Sequence, residues 1–203
     1  MQAVAASPLA AWIILGLTIL VSLVGLARPR LIALCLFRPY WFVRKRQYWT
    51  PITNGFVHAS LSHLLLNCLS YWFFAFALQR VIGDARFVAL YLVGLIASNS
   101  GTYFKHREDP EYACLGSSGA VLAVLFAAIV YFPHSSMFIL PIPIPIPAPL
   151  FALLYLGYSF YASRHPTGKV NHEAHFDGAL AGLAFVALTD WPVWQQTLRG
   201  LMG

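Results

Sequence analysis

The chain has 203 residues, of which 59% are apolar and 10% charged, whereas a soluble domain carries about 45–50% and about 25%. Six Trp, ten Tyr and fifteen Phe, with thirteen Lys/Arg against seven Asp/Glu (net charge +6), suit a protein with aromatics at lipid interfaces and a modest basic excess in its loops. This excludes a disordered chain, a nucleic-acid binder built on a solvated basic face, and most cytosolic enzymes. The chain reads as an integral, multi-pass membrane protein.

A helix needs about 20 predominantly apolar residues to cross the hydrocarbon core. Residues 1–27 carry no charge, and the run from Pro8 to Ala27 is long enough for a first span. With no basic segment before it, that run reads as a retained helix rather than a signal peptide. Arg28 to Trp49 is basic and aromatic (Arg28, Arg30, Arg38, Arg44, Lys45 and Arg46 with Tyr40, Trp41, Tyr48 and Trp49), which predicts an interfacial segment rather than a free loop. Val57–Gln79 and Phe87–Phe104 are uncharged and form the second and third spans, joined around Gly83 and Asp84. Tyr112 to Ser163 is uncharged for fifty-two residues, too long for one span. The Pro-Ile run at 141–149 cuts it, because proline has no amide hydrogen and favours an extended, semi-rigid connector. That leaves a fourth span near 116–132 and a fifth near 148–162. The sixth, 172–189, must include His175 and Asp177 to be long enough. The expected architecture is a single all-α membrane domain over 1–203, with six transmembrane helices at approximately 8–27, 57–79, 87–104, 116–132, 148–162 and 172–189. No repeat of 20–50 residues is visible, which argues against an inverted-repeat transporter.

Cys35, Cys68 and Cys114 form no C-x-x-C pair, so neither a disulfide framework nor a thiolate zinc site is expected. Polar side chains inside spans are expensive and point to function, and three groups stand out. In the first, His63 and Asn67 are four residues apart and share one helix face; interhelical hydrogen bonding is the plainer reading of the pair, and a structural role is expected for His58 nearby. The second is Leu115-Gly-Ser-Ser-Gly119 at the head of the fourth span. Its small residues suit close helix packing, and they also leave the first helical amides free to stabilise an oxyanion. The third opens with Asn171, a suitable N-cap, followed by Glu173 in the first turn. His175, Gly178 and Gly182 fall on one stripe, and the Gly178-x-x-x-Gly182 face lets a neighbouring helix approach closely. His172 and His175 lack the i, i+4 spacing of H-E-x-x-H, so no metal is expected.

Together these groups have a chemical logic. A serine at neutral pH needs a base within hydrogen-bond reach, and a histidine pressed against the neighbouring helix by the glycine face can supply one. Developing negative charge would meet backbone amides near Ser118 and the side chains of His63 and Asn67. Asp177 lies roughly 200° round the helix from His175 and cannot orient that ring, so the arrangement is a dyad.

At this point the sequence resembles the rhomboid family of intramembrane serine proteases, over Trp49 to Gly182. The family pattern of H-x-x-x-N, G-x-S-G and A-H-x-x-G-x-x-x-G reads here as His63-Leu-Leu-Leu-Asn67, Gly116-Ser-Ser-Gly119 and Ala174-His-Phe-Asp-Gly-Ala-Leu-Ala-Gly182. The resemblance implies a six-helix rhomboid-like bundle, Ser118 as nucleophile and His175 as general base. It implies that His63, Asn67 and the Gly116 turn support the oxyanion, and that Gly119, Gly178 and Gly182 pack helices. Ser117 is the variable position of the motif. Two departures are visible: Trp49-Thr50 replaces the family's Trp-Arg, and Leu122 replaces an aromatic that commonly packs on the catalytic histidine. The expected substrates are transmembrane proteins whose helices unwind easily, acted on within the lipid bilayer, with no cofactor, metal or nucleic acid. A bacterial inner membrane is the expected setting.

The resemblance implies a cytoplasmic N-terminus and a site opening away from the cytoplasm. That topology puts Arg28, Arg30, Arg38, Arg44, Lys45, Arg46, Lys105, Arg107, Arg164 and Lys169 outside and only Arg80, Arg86 and Arg199 inside, against the positive-inside rule. Much of the excess belongs to the first loop, which reads as resting in the headgroups, and the family topology is the one expected. Two other functions compete with proteolysis: a non-cleaving membrane chaperone or adaptor that binds client helices, and a small transporter lined by His63, Asn67 and His175. The intact Ser118 and His175 disfavour the first, and the absence of paired carboxylates disfavours the second.

Overall fold

The computed structural model describes residues 7–139, 142–165, 168 and 170–202. Pro141, which opens the Pro-Ile run, and Lys169, one of the loop cations, lie outside the described residues. Helix α1 (Leu9–Ala27) leads into a first loop that contains α2 (Pro29–Cys35), α3 (Pro39–Arg44), α4 (Thr50–Thr53) and a 3₁₀ turn (Asn54–Phe56). Then follow α5 (Leu61–Ile82), α6 (Asp84–His106), α7 (Ser118–Tyr131), strands β1 (Ser136–Ile139) and β2 (Ile142–Pro147), α8 (Ala148–Arg164), α9 (His172–Thr189) and α10 (Trp191–Met202).

Each of the six apolar stretches marked out in the sequence is helical. Helices α1, α5 and α6 are each long and apolar enough to cross a membrane, and α9 qualifies together with α10, although the pair is bent by 111°. Large apolar side chains face outward around the bundle, among them Leu65, Phe73, Leu153 and Leu154. An apolar surface of that extent is stable against lipid rather than water. The protein is an integral membrane protein.

Local chemistry sets the helix ends. Ser60 caps α5 by accepting from the His63 amide at 3.2 Å, and Asn171 caps α9 by accepting from the Ala174 amide at 3.0 Å. Pro29 and Pro39 open α2 and α3, where the missing N–H costs nothing. The first loop carries cation–π pairs, Arg44 over Tyr40 and Lys45 over Trp41.

Helix α7 is the axle of the bundle. Every residue from Gly119 to Val130 is buried, as its uniformly apolar sequence requires, and α5, α6, α8 and α9 pack around it.

Two elements depart from expectation. Instead of an extended connector, β1 and β2 form an antiparallel hairpin pairing Ser136 with Pro147, Met137 with Ile146 and Ile139 with Ile142. Proline at alternate positions removes amides from one edge only and leaves the isoleucine amides on the other, so the run can serve as an edge strand. The fold is therefore helical with one small hairpin rather than strictly all-α. Helix α10 was not anticipated from the sequence. The chain turns at Asp190, held by the Tyr131 hydroxyl at 2.9 Å and Arg86 at 3.8 Å.

Candidate active site

The loop before α7 is held from two sides. Phe37 and Cys114 exchange backbone hydrogen bonds of 3.0 and 2.9 Å, tying the first loop to this segment. Asn54 accepts from the Gly116 amide at 2.8 Å through its carbonyl, and its side chain donates to Asn99 on α6 at 2.9 Å. Burial pushes the Cys114 thiol up to about 12, so this cysteine stays protonated and unreactive. Gly116 itself has φ +110°, and a Cβ there would lie 2.7 Å from His63 Cε1. Only glycine both adopts that backbone and lets the His63 ring rest on it.

The two serines that follow meet different partners. Ser118 opens α7, half-buried, with its Oγ 2.8 Å from His175 Nε2 on α9. Ser117 is 2% exposed and points inward, its Oγ 3.4 Å from His58 Nε2 and 3.5 Å from Asn67 Oδ1. His58 is completely buried, and its Nδ1 lies 2.8 Å from the Ser22 hydroxyl of α1. A second serine–histidine pair thus lies behind the first, sealed from solvent.

The approach of His175 to Ser118 depends on glycine. A Cβ on Gly178 would strike the Gly119 carbonyl, one on Gly182 the Ala123 carbonyl, and one on Gly119 the Ser98 side chain of α6. Helices α7 and α9 therefore touch backbone to backbone. Asp177 faces Gly101 on α6 and does not reach His175. Glu173 pairs with Lys105. His172 stands edge-on to His175 with ring centroids 5.9 Å apart. No cluster able to hold a metal occurs among the described residues.

His63, Asn67 and Gly116 gather at the turn into α7, with Asn67 Oδ1 meeting Ser117 Oγ at 3.5 Å. The His63 ring lies on Gly116 and edge-on to His58 at 4.8 Å. Asn67 is buried and spends one amide hydrogen on the His63 carbonyl at 3.0 Å, leaving the other available. Among the described residues no side chain caps α7, so its first amides remain free donors. An electrophilic carbon at Ser118 Oγ would have a base on one side and the uncapped amides at the head of α7 close by.

Sequence reasoning missed four participants. Ser22, Asn54 and Asn99 carry no local signal, since each acts on a residue far away in the chain. The fourth is Tyr155 on α8, whose hydroxyl lies 3.3 Å from His175 Nδ1. Leu122 faces a cluster with Phe126 and Tyr155, so the aromatic beside the histidine comes from a different helix. Trp49 donates to the Leu34 carbonyl at 3.4 Å, and the buried Thr50 hydroxyl donates to the Gln47 carbonyl at 2.8 Å. The Trp-Thr pair thus anchors within the first loop.

Comparison with known proteins matches residues 45–191 to the Rhomboid domain family. "Putative rhomboid protease YdcA" of Bacillus subtilis is 39% identical over 82 residues, 40% of each chain. The "Presenilin-associated rhomboid-like protein, mitochondrial" of Rattus norvegicus is 28% identical over 155 residues, covering 71% of this chain and 39% of the relative. "Rhomboid protein 1, mitochondrial" of Saccharomyces cerevisiae is 29% identical over 143 residues, 66% of this chain and 40% of the relative. The matched segments span about two fifths of the length of these relatives.

Proposed function

This chain belongs to the rhomboid family, and on that premise we propose that it is an intramembrane serine endopeptidase hydrolysing peptide bonds in or near transmembrane segments through Ser118 and His175. The family includes serine proteases and acts on membrane proteins within the bilayer. The observation that carries the reading is the 2.8 Å contact between Ser118 Oγ and His175 Nε2 across two helices in backbone contact.

In the proposed reaction Ser118 Oγ attacks the scissile carbonyl while its proton passes to His175 Nε2. The oxyanion is met by amides at the head of α7, the His63 ring and the free amide hydrogen of Asn67. As the tetrahedral intermediate collapses, His175 returns the proton to the leaving amine and an acyl-Ser118 forms. Water, deprotonated by the same nitrogen, then releases the second product.

The 14 residues of α7 rise only about 21 Å, against a hydrocarbon core of about 30 Å. A helix that short, ending near one face, would begin below the other, which would give water a route to Ser118.

We further propose that α1, α5, α6, α7, α8 and α9 are six spans of one rhomboid-like domain, opening away from the cytoplasm as the family's topology implies. The bacterial inner membrane expected from the sequence finds no support in relatives named as mitochondrial, and the proposal extends only to a multi-pass membrane setting.

The test is labelling of detergent-solubilised protein with a fluorescent fluorophosphonate, alongside cleavage of a transmembrane substrate. Wild type and Ser117→Ala should label and cleave, while Ser118→Ala and His175→Ala should lose both, the former by about 10⁶ in kcat. Labelling kept by Ser118→Ala and lost by Ser117→Ala would reassign the nucleophile. A folded wild type inert in both assays would point to an adaptor that binds client helices without cutting them.

A further inference from the structure

We propose that Tyr155 on α8 is a positioning residue of the dyad, its phenolic oxygen accepting the Nδ1–H of His175 so that the bare Nε2 faces Ser118. The inference rests on the protease reading of Ser118 and His175. A neutral imidazole carries one hydrogen, and a base bare at the nitrogen facing serine must carry it on the other. That hydrogen needs an acceptor, the part a buried carboxylate plays in a Ser-His-Asp triad.

Neither carboxylate of α9 supplies it here, because Asp177 is turned to Gly101 and Glu173 to Lys105. Tyr155 Oη lies 3.3 Å from Nδ1 while Nε2 of the same ring lies 2.8 Å from Ser118 Oγ. It is the hydrogen-bond partner of Nδ1 among the described residues. The phenol ring is itself held, stacked on Phe151 at 5.6 Å and tilted against Phe126 at 5.8 Å between centroids. Because Tyr155 belongs to α8, the dyad is fully oriented only while α8 is packed on α7 and α9.

The experiment measures kcat, KM and Tm for transmembrane-substrate cleavage by the full chain in detergent, comparing wild type with Tyr155→Phe, which keeps the ring and removes the hydroxyl. In parallel, ¹⁵N NMR of histidine-labelled protein reads the His175 tautomer, its signal assigned by its loss in His175→Gln. The expected result is a fall in kcat of about tenfold in Tyr155→Phe, with KM and Tm unchanged, and a wild-type Nδ1–H tautomer that becomes mixed in the variant. A kcat equal to wild type overturns the proposal, as does a loss confined to KM, which would put the phenol on the substrate. A wild type that cleaves nothing refutes the protease reading instead, and the tautomer then decides this inference alone. An Nε2–H tautomer in wild type overturns it even if Tyr155→Phe fails to fold.

Discussion

Ser117 and Ser118 occupy adjacent positions yet do different work, because successive residues at a helix start point about 100° apart. Ser118 looks across to His175, and Ser117 looks back into the Ser22–His58 pair. Replacing His58 by Ala removes the buried partner shared by the Ser22 and Ser117 hydroxyls, and should cost about 1–3 kcal/mol, read as a lowered midpoint of thermal unfolding in detergent. Its effect on fluorophosphonate labelling of the protein that remains folded should be small. His63 and Asn67 are predicted to behave in the opposite sense. Asn67→Ala should lower kcat by about 10²–10³ in the substrate-cleavage assay with little change in KM, because its free amide hydrogen would engage charge that exists only in the transition state. The histidines, Asn67 and both serines were legible in the sequence as polar residues inside apolar runs. Tyr155 was not, because a tyrosine in an aromatic-rich helix carries no local sign that its hydroxyl meets a histidine.

At the scale of elements, the meeting of α7 and α9 is the junction on which the Ser118–His175 contact depends. Side chains normally hold helix axes about 8–10 Å apart; here Gly178 and Gly182 face the carbonyls of Gly119 and Ala123 directly. Gly182→Val would insert bulk against backbone that cannot move aside. We predict a destabilisation of about 1–3 kcal/mol by thermal unfolding and loss of substrate cleavage, as α9 is levered away and His175 leaves Ser118. Leu180→Val, on the exposed face of the same helix, should leave both readouts near wild type. The i, i+3, i+7 spacing of His175, Gly178 and Gly182 announces such a face in the sequence, since helical periodicity alone puts them on one stripe. The β1–β2 hairpin and α10 were less legible. The Pro-Ile run has the dihedral preferences of either an isolated extended segment or an edge strand, and a partner strand decides between them. The turn at Asp190 depends on Tyr131 and Arg86, both distant in the chain.

Across the whole molecule, cations of the first loop and of the end of α6 meet near the start of α9, which carries His175. Arg44 donates to the Arg107 carbonyl at 3.1 Å and pairs with Glu108 at 3.3 Å, while Lys105 pairs with Glu173 beside His175. If the site opens away from the cytoplasm, a cysteine placed at the exposed Glu108 in a cysteine-free background should react with a membrane-impermeant maleimide added to intact cells. One placed at Arg86 should react only after permeabilisation, and the reverse pattern would support the orientation that the positive-inside rule prefers. What the sequence determined by itself is what depends on summed hydropathy and on spacing within one helix: the membrane class, the helical stretches, and the faces carrying His63 with Asn67 and His175 with its glycines. Only the tertiary structure decided what Ser117 meets behind the Ser118–His175 contact, how Asn54 and Asn99 hold the Gly116 turn, and where the partner of Nδ1 comes from. The physical reason is range. Periodicity and capping act within a few residues, whereas the Ser118–His175, Asn54–Asn99 and Ser22–His58 pairs join positions 57, 45 and 36 residues apart, and nothing short of helix packing chooses among the partners such distances allow.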